Sequence, residues 1–495
     1  MKNRWVRGVC VFVFLCCLPL TGGQAQAAGG GAAPQVAPPG TTETLSIPAA
    51  AFLPMLSGRN YENHGQYLYH LQDTTAATQF VAGVELPHGA LINQVSFCFY
   101  DDSASKTVSA TLYHRAFHHA GVEMATGSSA GLDSGFATLN LTNITDALVD
   151  NVNSIYFIQA LLPVTSQAAG DDLRLCGATI RYNRPAQVSG VLAIPAASLT
   201  PMSDGYSAHR TDGMLEDHSP LGGYYLGAVH LPDGAQVTKL TLRYKDALDT
   251  NMAMLNLIAR DSASDGHIMA SVTSVDSSTE EQRSDTTIDA SYALIANQSR
   301  AYYVQLFVPK TSEIQGVDYL WVTAILIEYT APGWSRDQIL HIPPAAFRSF
   351  HDSVAFDSGN WLMHLASEGG GSLGEPYVAP VYLPQGAKIT YANFKFYDGS
   401  NTADGTAVLV RVRWGAPVTL AERTTSGAPG NVEGMLPVNT AYEIVDNSLY
   451  AYYVYYYLPV STAGTPATGD VAGNGVRVYY QQVVCAYLPI VRMAK

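Results

Sequence analysis

Ile47-Pro48-Ala49-Ala50-Ala51-Phe52 returns as Ile194-Pro195-Ala196-Ala197-Ser198-Leu199 and again as Ile342-Pro343-Pro344-Ala345-Ala346-Phe347. The offsets are 147 and 148 residues, so one opening is written three times at the period of a domain. Two further signatures keep the same order. Leu86-Pro87-His88-Gly89-Ala90 matches Leu231-Pro232-Asp233-Gly234-Ala235 and Leu383-Pro384-Gln385-Gly386-Ala387. An aspartate follows each proline by 14 residues, at Asp101, Asp246 and Asp398. Asn151…Tyr156…Pro163 recurs as Asn297…Tyr302…Pro309 and Asn447…Tyr452…Pro459. The spacing predicts three copies of one unit, at 41–187, 188–336 and 337–484.

Inside each unit the pattern is that of strands. Gln94 to Tyr100, Val237 to Tyr244, Ala407 to Trp414 and Tyr302 to Val308 are rich in Val, Thr, Tyr and Phe, and turn residues bound them. No long stretch keeps a helical period. The expected fold is all-β: three tandem antiparallel β-sandwich, jelly-roll-like domains. Leu-Pro-x-Gly-Ala reads as a tight turn entering a strand, and each following aspartate as a side chain that bonds the next turn. A calcium ligand is the competing role for those aspartates, with Asp398 to Asp404 as the nearest to a site, but the carboxylate spacing of an EF-hand is missing. Short connectors after Tyr182-Asn183-Arg184-Pro185 and Tyr329-Thr330-Ala331-Pro332 suggest a semi-rigid row of modules.

Ahead of the first unit, Lys2, Arg4 and Arg7 precede the apolar run Val9 to Leu20, and Gln24-Ala25-Gln26-Ala27 offers small residues for cleavage after Ala27. This is the pattern of a secretory signal peptide over 1–27, followed by a Gly/Ala/Pro-rich tether over 28–40. The expected location is outside the cytoplasm, secreted or on the cell surface. Cys16 and Cys17 lack the preceding small residue of a lipid-anchor signal, and no later segment is apolar for long enough to cross a bilayer as a helix. The chain has 495 residues, 47% hydrophobic and only 14% charged, which excludes a disordered chain. Its net charge of −14 becomes −17 once residues 1–27 are removed, so it carries no electrostatic footprint for nucleic acid.

The Ile-Pro-Ala-Ala-x-Phe opening, the aromatic-led Leu-Pro-x-Gly-Ala turn (Phe80 to Ala90, Tyr225 to Ala235, Tyr377 to Ala387) and the Asn…Tyr…Pro strand resemble those of exported bacterial proteins built from tandem β-sandwich repeats. The resemblance covers nearly the whole mature chain. It implies export and a β-sandwich, and it brings no activity with it. The tail over 485–495 contains Tyr487-Leu488-Pro489-Ile490, similar to a C-terminal ending of some exported proteins, where a sorting role competes with a final edge strand or frayed end.

No catalytic residue is expected. Gly127-Ser128-Ser129-Ala130-Gly131 matches the spacing of a nucleophile elbow, but a strand follows where a helix is needed. Gly369-x-Gly371-x-x-Gly374 leads into Glu375-Pro376 and a strand, so it offers no helix N-terminus for phosphate. His114, His118 and His119, with His64 and His70, raise the question of zinc or copper, yet the aligned stretch 259–265 has no histidine; no metal or other cofactor is expected. Asn140, Asn143 and Asn297 fit the glycosylation sequon.

Two features remain. Cys98 and Cys176 occur together in the first unit, and Arg243 and Thr323 replace both in the second. Paired presence predicts neighbours in space and, after export, a Cys98–Cys176 disulfide, with Cys485 left over. The segment Tyr450 to Leu458 splits by period two into a core face, Tyr452, Val454, Tyr456 and Leu458, and an outward ladder, Tyr453, Tyr455 and Tyr457. The ladder suits sugar stacking or a partner anchor; cross-strand packing, or cover by a neighbouring module, is the plainer role. Taken together the sequence points to a non-catalytic modular scaffold or interaction protein for an unknown protein or glycan at the cell surface. A carbohydrate-binding array and an extracellular hydrolase are the alternatives.

Overall fold

The computed structural model describes residues 42–56, 61–71, 77–116, 119–130, 135–166, 172–183, 189–202, 206–211, 213–248, 251–261, 266–311, 319–330, 337–349, 356–357, 364–365, 375–400, 403–413, 416–426, 430–459 and 471–481. The signal-peptide, tether, glycine-fingerprint, Cys485 and C-terminal-tail readings all fall outside those residues, as does His118.

Strands alternate between buried and open sides as the residue pattern requires. Each repeat builds two antiparallel layers that close over one core, joined in the first repeat by a short parallel pairing of Val164 and Thr165 with His70 and Leu71. In the first repeat one sheet runs Thr42–Pro48, Leu173–Asn183, Leu91–Asp101, Gly135–Leu141, each strand paired with the next. The other runs Leu53–Pro54, Ala77–Gly83, Ser154–Thr165, Ser109–Ala116, Gly121–Ser128. The same order recurs in the second repeat, from Ser189–Pro195 to Leu320–Thr330, Gln236–Asp246 and Ser277–Asp285, and in the third, from Asp337–Ile342 to Val471–Gln481, Lys388–Asp398 and Gly430–Pro437. Three apolar cores result, one per repeat. The fold is all-β, a set of antiparallel sandwiches.

The repeated signatures are structural joints. Gly89, Gly234 and Gly386 adopt φ of 75° to 78°, which glycine reaches without steric cost, and this is why the turn needs it. Asp101 accepts from the backbone N–H of Ser103, Asp246 from that of Leu248 and Asp398 from that of Ser400, the turn-bonding role read from the sequence. Ser129 and Ser274 donate to Asp101 and Asp246 as well. Ser129 is thus a buried structural hydroxyl and Ser128 ends a strand, so no nucleophile elbow forms. The Tyr156, Tyr302 and Tyr452 hydroxyls accept from the backbone N–H six residues upstream, 2.7 to 2.9 Å away.

The arrangement of modules differs from a row. Asn151 Nδ2 donates to Leu86 O at 2.7 Å in its own repeat and to Val191 O at 2.8 Å in the next. Asn297 does the same to Leu231 O and to Ile339 O, both at 2.9 Å. Asn447 donates to Leu383 O and to Thr44 O, both at 2.7 Å, and Thr44 belongs to the first repeat. Val191, Ile339 and Thr44 each lie three residues before the repeated isoleucine, so the third joint is the first two repeated. The three sandwiches close into a ring. The Ala-Ala turns serve the same joints: Ala77–Gly83 packs on Ala196–Ser198, Gly223–Ala228 on Pro344–Ala346, and Glu375–Pro380 on Ala49–Ala51.

Candidate functional site

The ring decides what the outward tyrosines face. In Ala451–Leu458, Tyr452, Val454, Tyr456 and Leu458 are fully buried in the third core, as the two-residue period predicts. On the other side Tyr453 is only 2% exposed: it joins Ala50 of the first repeat in a small apolar cluster with Val378, Val408, Val410 and Val412. Its ring also lies against Gly65, where φ is +77° and a Cβ would collide with it. Phe157, its counterpart in the first repeat, meets Ala197 and Gly213 in the same way. Tyr453 is therefore a plug in the ring and drops out of the expected ligand ladder. Tyr455 is half-buried, and Tyr457 is 43% exposed.

Those two rings open a longer aromatic strip across the third-to-first seam. Tyr453, Tyr455 and Tyr457 follow one another at 6.1 and 5.0 Å between centroids. On the first-repeat side Tyr67 interacts electrostatically with Tyr453 and lies 5.0 Å from His64 and 5.9 Å from Tyr69. The Arg174 guanidinium sits over Tyr67 at 4.4 Å and over Tyr100 at 5.1 Å, and Asp172 holds it from both oxygens at 2.5 to 3.0 Å. Tyr100 in turn packs edge-on against Phe136 at 4.8 Å. Burial pushes the Tyr455 hydroxyl up to about 12, with the Tyr457 neighbour adding to it. Flat apolar rings with polar edges and one fixed cation make a surface suited to binding. The sequence reading missed Tyr67, Tyr100, Phe136 and Arg174 because they join the ladder only through ring closure.

Cys98 and Cys176 do come together. Cys176 occupies a bulge where Gly177, not Cys176, pairs with Cys98, and both thiols line a cavity of about 110 Å³ at the same seam. The expected disulfide is corrected: both are free thiols, not at bonding distance. Burial, then the neighbouring Cys98, raises the Cys176 thiol well above its ordinary value.

Among the described residues the histidines of the first repeat are not gathered. His64 bonds Glu62 at 2.8 Å, His70 bonds Thr78 at 3.1 Å, and His114 bonds Asp146 at 3.2 Å, each in its own surroundings. Exposed His119 stands apart from them in a turn, its N–H on Ala116 O. The Asn297 sequon is unavailable, because that side chain is the second joint.

A second constellation lies where the repeats converge. Glu85, His230 and Tyr382 hold the same place, one residue before Leu-Pro, in the three copies. The Tyr382 ring lies 6.2 Å from His230, and the Glu85 charge reaches Tyr382. All three keep some solvent exposure, yet burial dominates their titration. It pushes the Glu85 carboxyl up to about 7 and the His230 imidazole down to about 4. Arg348 nearby is brought down to about 10 by burial, against the pull of the Tyr61 and Tyr382 hydroxyls. The outcome is a centre in which acid and base both favour their neutral forms.

No family model matches the chain, and no curated protein does. Solved structures similar to it include the tandem CBM22 domains of Xyn10C from Paenibacillus barcinonensis, 11% identical with a TM-score of 0.21, covering 57% of this chain and 91% of that one. The isomalto-dextranase of Arthrobacter globiformis in complex with panose is 10% identical with a TM-score of 0.19, covering 54% and 37%. The VP2 subviral particle of infectious bursal disease virus is 9% identical with a TM-score of 0.18, covering 91% and 82%. Likeness at this level assigns no ligand and no activity. Among the described residues no helix is long and apolar enough to cross a membrane.

Proposed function

We propose that the chain is an exported, non-catalytic interaction protein, and that it binds its partner through the aromatic strip at the third-to-first seam. The observation that carries this is the presence, at one seam, of half-exposed Tyr455 and exposed Tyr457 on the third repeat and of Tyr67, Arg174, Tyr100 and Phe136 on the first, with the buried Tyr453 plug between the two groups. The polar triplets shared by the repeats support binding over catalysis. The asparagines, aspartates and tyrosines of the signatures are each engaged in a turn or a joint.

A glycan is the ligand class that this surface suits, because sugar rings stack on tyrosine faces while their hydroxyls meet phenol and guanidinium edges. A protein partner anchored by the same aromatics is the second form of the reading. The test uses the mature chain on a glycan array and in pull-downs from the cell envelope, beside Tyr457→Ala and Arg174→Lys, the latter keeping a cation for buried Asp172 while removing the flat guanidinium. Binding is expected to fall about tenfold or more in each variant, at the scale of one aromatic or arginine anchor, with the melting temperature kept. Binding that is unchanged in both variants would overturn the assignment of the strip.

A further inference from the structure

We propose that His209, Glu216 and His218 form a transition-metal site of the zinc class in the second repeat. One hairpin supplies all three. Ala208–Thr211 pairs with Met214–Asp217 so that His209 stands directly opposite Glu216. His218 comes two residues after Glu216 and returns to the same face.

The ligand atoms converge. Glu216 Oε2 lies 3.1 Å from His218 Nε2 and 3.6 Å from His209 Nδ1, and all three atoms fall within 4.8 Å of one another. Zinc bonds of about 2.0–2.2 Å in a tetrahedral site place neighbouring ligand atoms roughly 3.3–3.6 Å apart. The set therefore accepts an ion with small side-chain shifts. Two imidazoles and one carboxylate are a donor set that zinc and its first-row neighbours favour. The side chains are 35%, 12% and 23% exposed for His209, Glu216 and His218, so solvent reaches the site and could supply a fourth ligand.

Glu216 lies within ion-pair reach of both histidines, but only His218 has hydrogen-bond geometry with it. His209 Nδ1 is buried, has no hydrogen-bond partner, and faces the same carboxylate oxygen. The first repeat is an internal control. Its hairpin places Glu62 opposite Tyr69, which donates to it, and Leu71 occupies the place of His218. Asn63 and Arg210 hold equivalent places there, and each donates to the carbonyl that ends its Ala-Ala turn, Phe52 O or Leu199 O. The hairpin is shared framework, and the ligand set belongs to the second repeat alone among these two.

The test is titration of the mature full-length chain with Zn²⁺ by calorimetry and with Co²⁺ by visible absorption. One equivalent is expected to bind, to release protons below neutral pH, and to raise the melting temperature. His218→Ala and Glu216→Gln should each weaken binding beyond about a hundredfold, the upper end of what outer-sphere changes cost. His209→Asn, at a more open position, does the same if His218→Ala fails to fold. Absence of heat and of Co²⁺ absorption in the unaltered chain would overturn the site. So would Co²⁺ binding that survives all three variants, or a thiolate charge-transfer band, which would place the ion at Cys98 and Cys176.

Discussion

The first-to-second and third-to-first seams share one joint and are held by different chemistry. Both use an asparagine to tie a Leu-Pro turn to the next repeat's opening strand, and both bury an aromatic plug against an Ala-Ala turn. Behind the first joint lie charges. Arg115 pairs with Glu280 across the seam, both nearly buried, and Arg243 donates to Val152 O. Behind the third joint the places of Arg243 and Arg115 are taken by Cys98 and Val412, and a cavity opens there between the two thiols, hydroxyl side chains such as Ser96 and Thr138, and Arg413, with no buried ion pair across it among the described residues. At the second-to-third seam Lys395 holds the same place, pairs with Glu433 at 3.1 Å and has buried His341 nearby. The backbone joint sets how the repeats meet, and the side chains behind it are free to diverge. That freedom is what lets one seam carry an aromatic strip.

The largest effect expected from this contrast is at Arg115. Arg115→Ala takes the direct ion-pair partner from the Glu280 carboxylate in a buried seam, with Arg243 still acting on it, and removing one member of such a pair costs up to about 3–5 kcal/mol. Val412→Ala, the matched change at the third-to-first seam, removes only two methyl groups and costs about 1–2 kcal/mol. Urea unfolding of both variants measures the difference. Equal costs would mean that the first-to-second seam is not held by charge.

Next in size is the joint itself. Asn447→Ala and Asn151→Ala each strip two carbonyls of a donor, at roughly 1–3 kcal/mol in total. Ring closure predicts equal losses for the two. An open row would leave Asn447 with only its bond inside the third repeat, and Asn447→Ala would then cost about half as much as Asn151→Ala. Denaturant midpoints compared at equal slope distinguish these outcomes.

The fold was legible because each signature does one physical job: a glycine at positive φ, an aspartate under a turn, a tyrosine bonded six residues back. The ring was less legible, though its trace is present. In a linear array the first and last repeats expose an unused joint face and are free to lose it. Here Ile47-Pro48-Ala49-Ala50 and Asn447 are both intact, as the joint between the third and first repeats requires. The sites were the least legible part. Tyr453 and Tyr455 are two residues apart on one face, and only the approach of Gly65 and Ala50 separates a plug from a surface ring. His209 and Glu216 are seven residues apart, and their meeting depends on hairpin register. A search for histidines close in sequence goes instead to His114 and His119.

The smallest effect is expected at the thiols, and it tests how far the seams have diverged. Cross-strand partners show the substitution cleanly: Arg243 faces Gln282 and Lys395 faces Glu433, whereas Cys98 faces Thr138. With no charge to satisfy, Cys98→Ala removes one sulfur beside an existing cavity and costs under about 1.5 kcal/mol, well short of the Arg115 change. The raised Cys176 thiol gives the matching chemical test. Held in its protonated form by burial, it is a poor nucleophile, since alkylation proceeds through the thiolate. Iodoacetamide at pH 8 should leave Cys176 unmodified in the folded chain and should modify both Cys98 and Cys176 once the chain is unfolded without reductant. Recovery of a Cys98–Cys176 cross-linked peptide from the unfolded, unreduced chain would show instead that a disulfide ties two paired strands of the first repeat beside this seam.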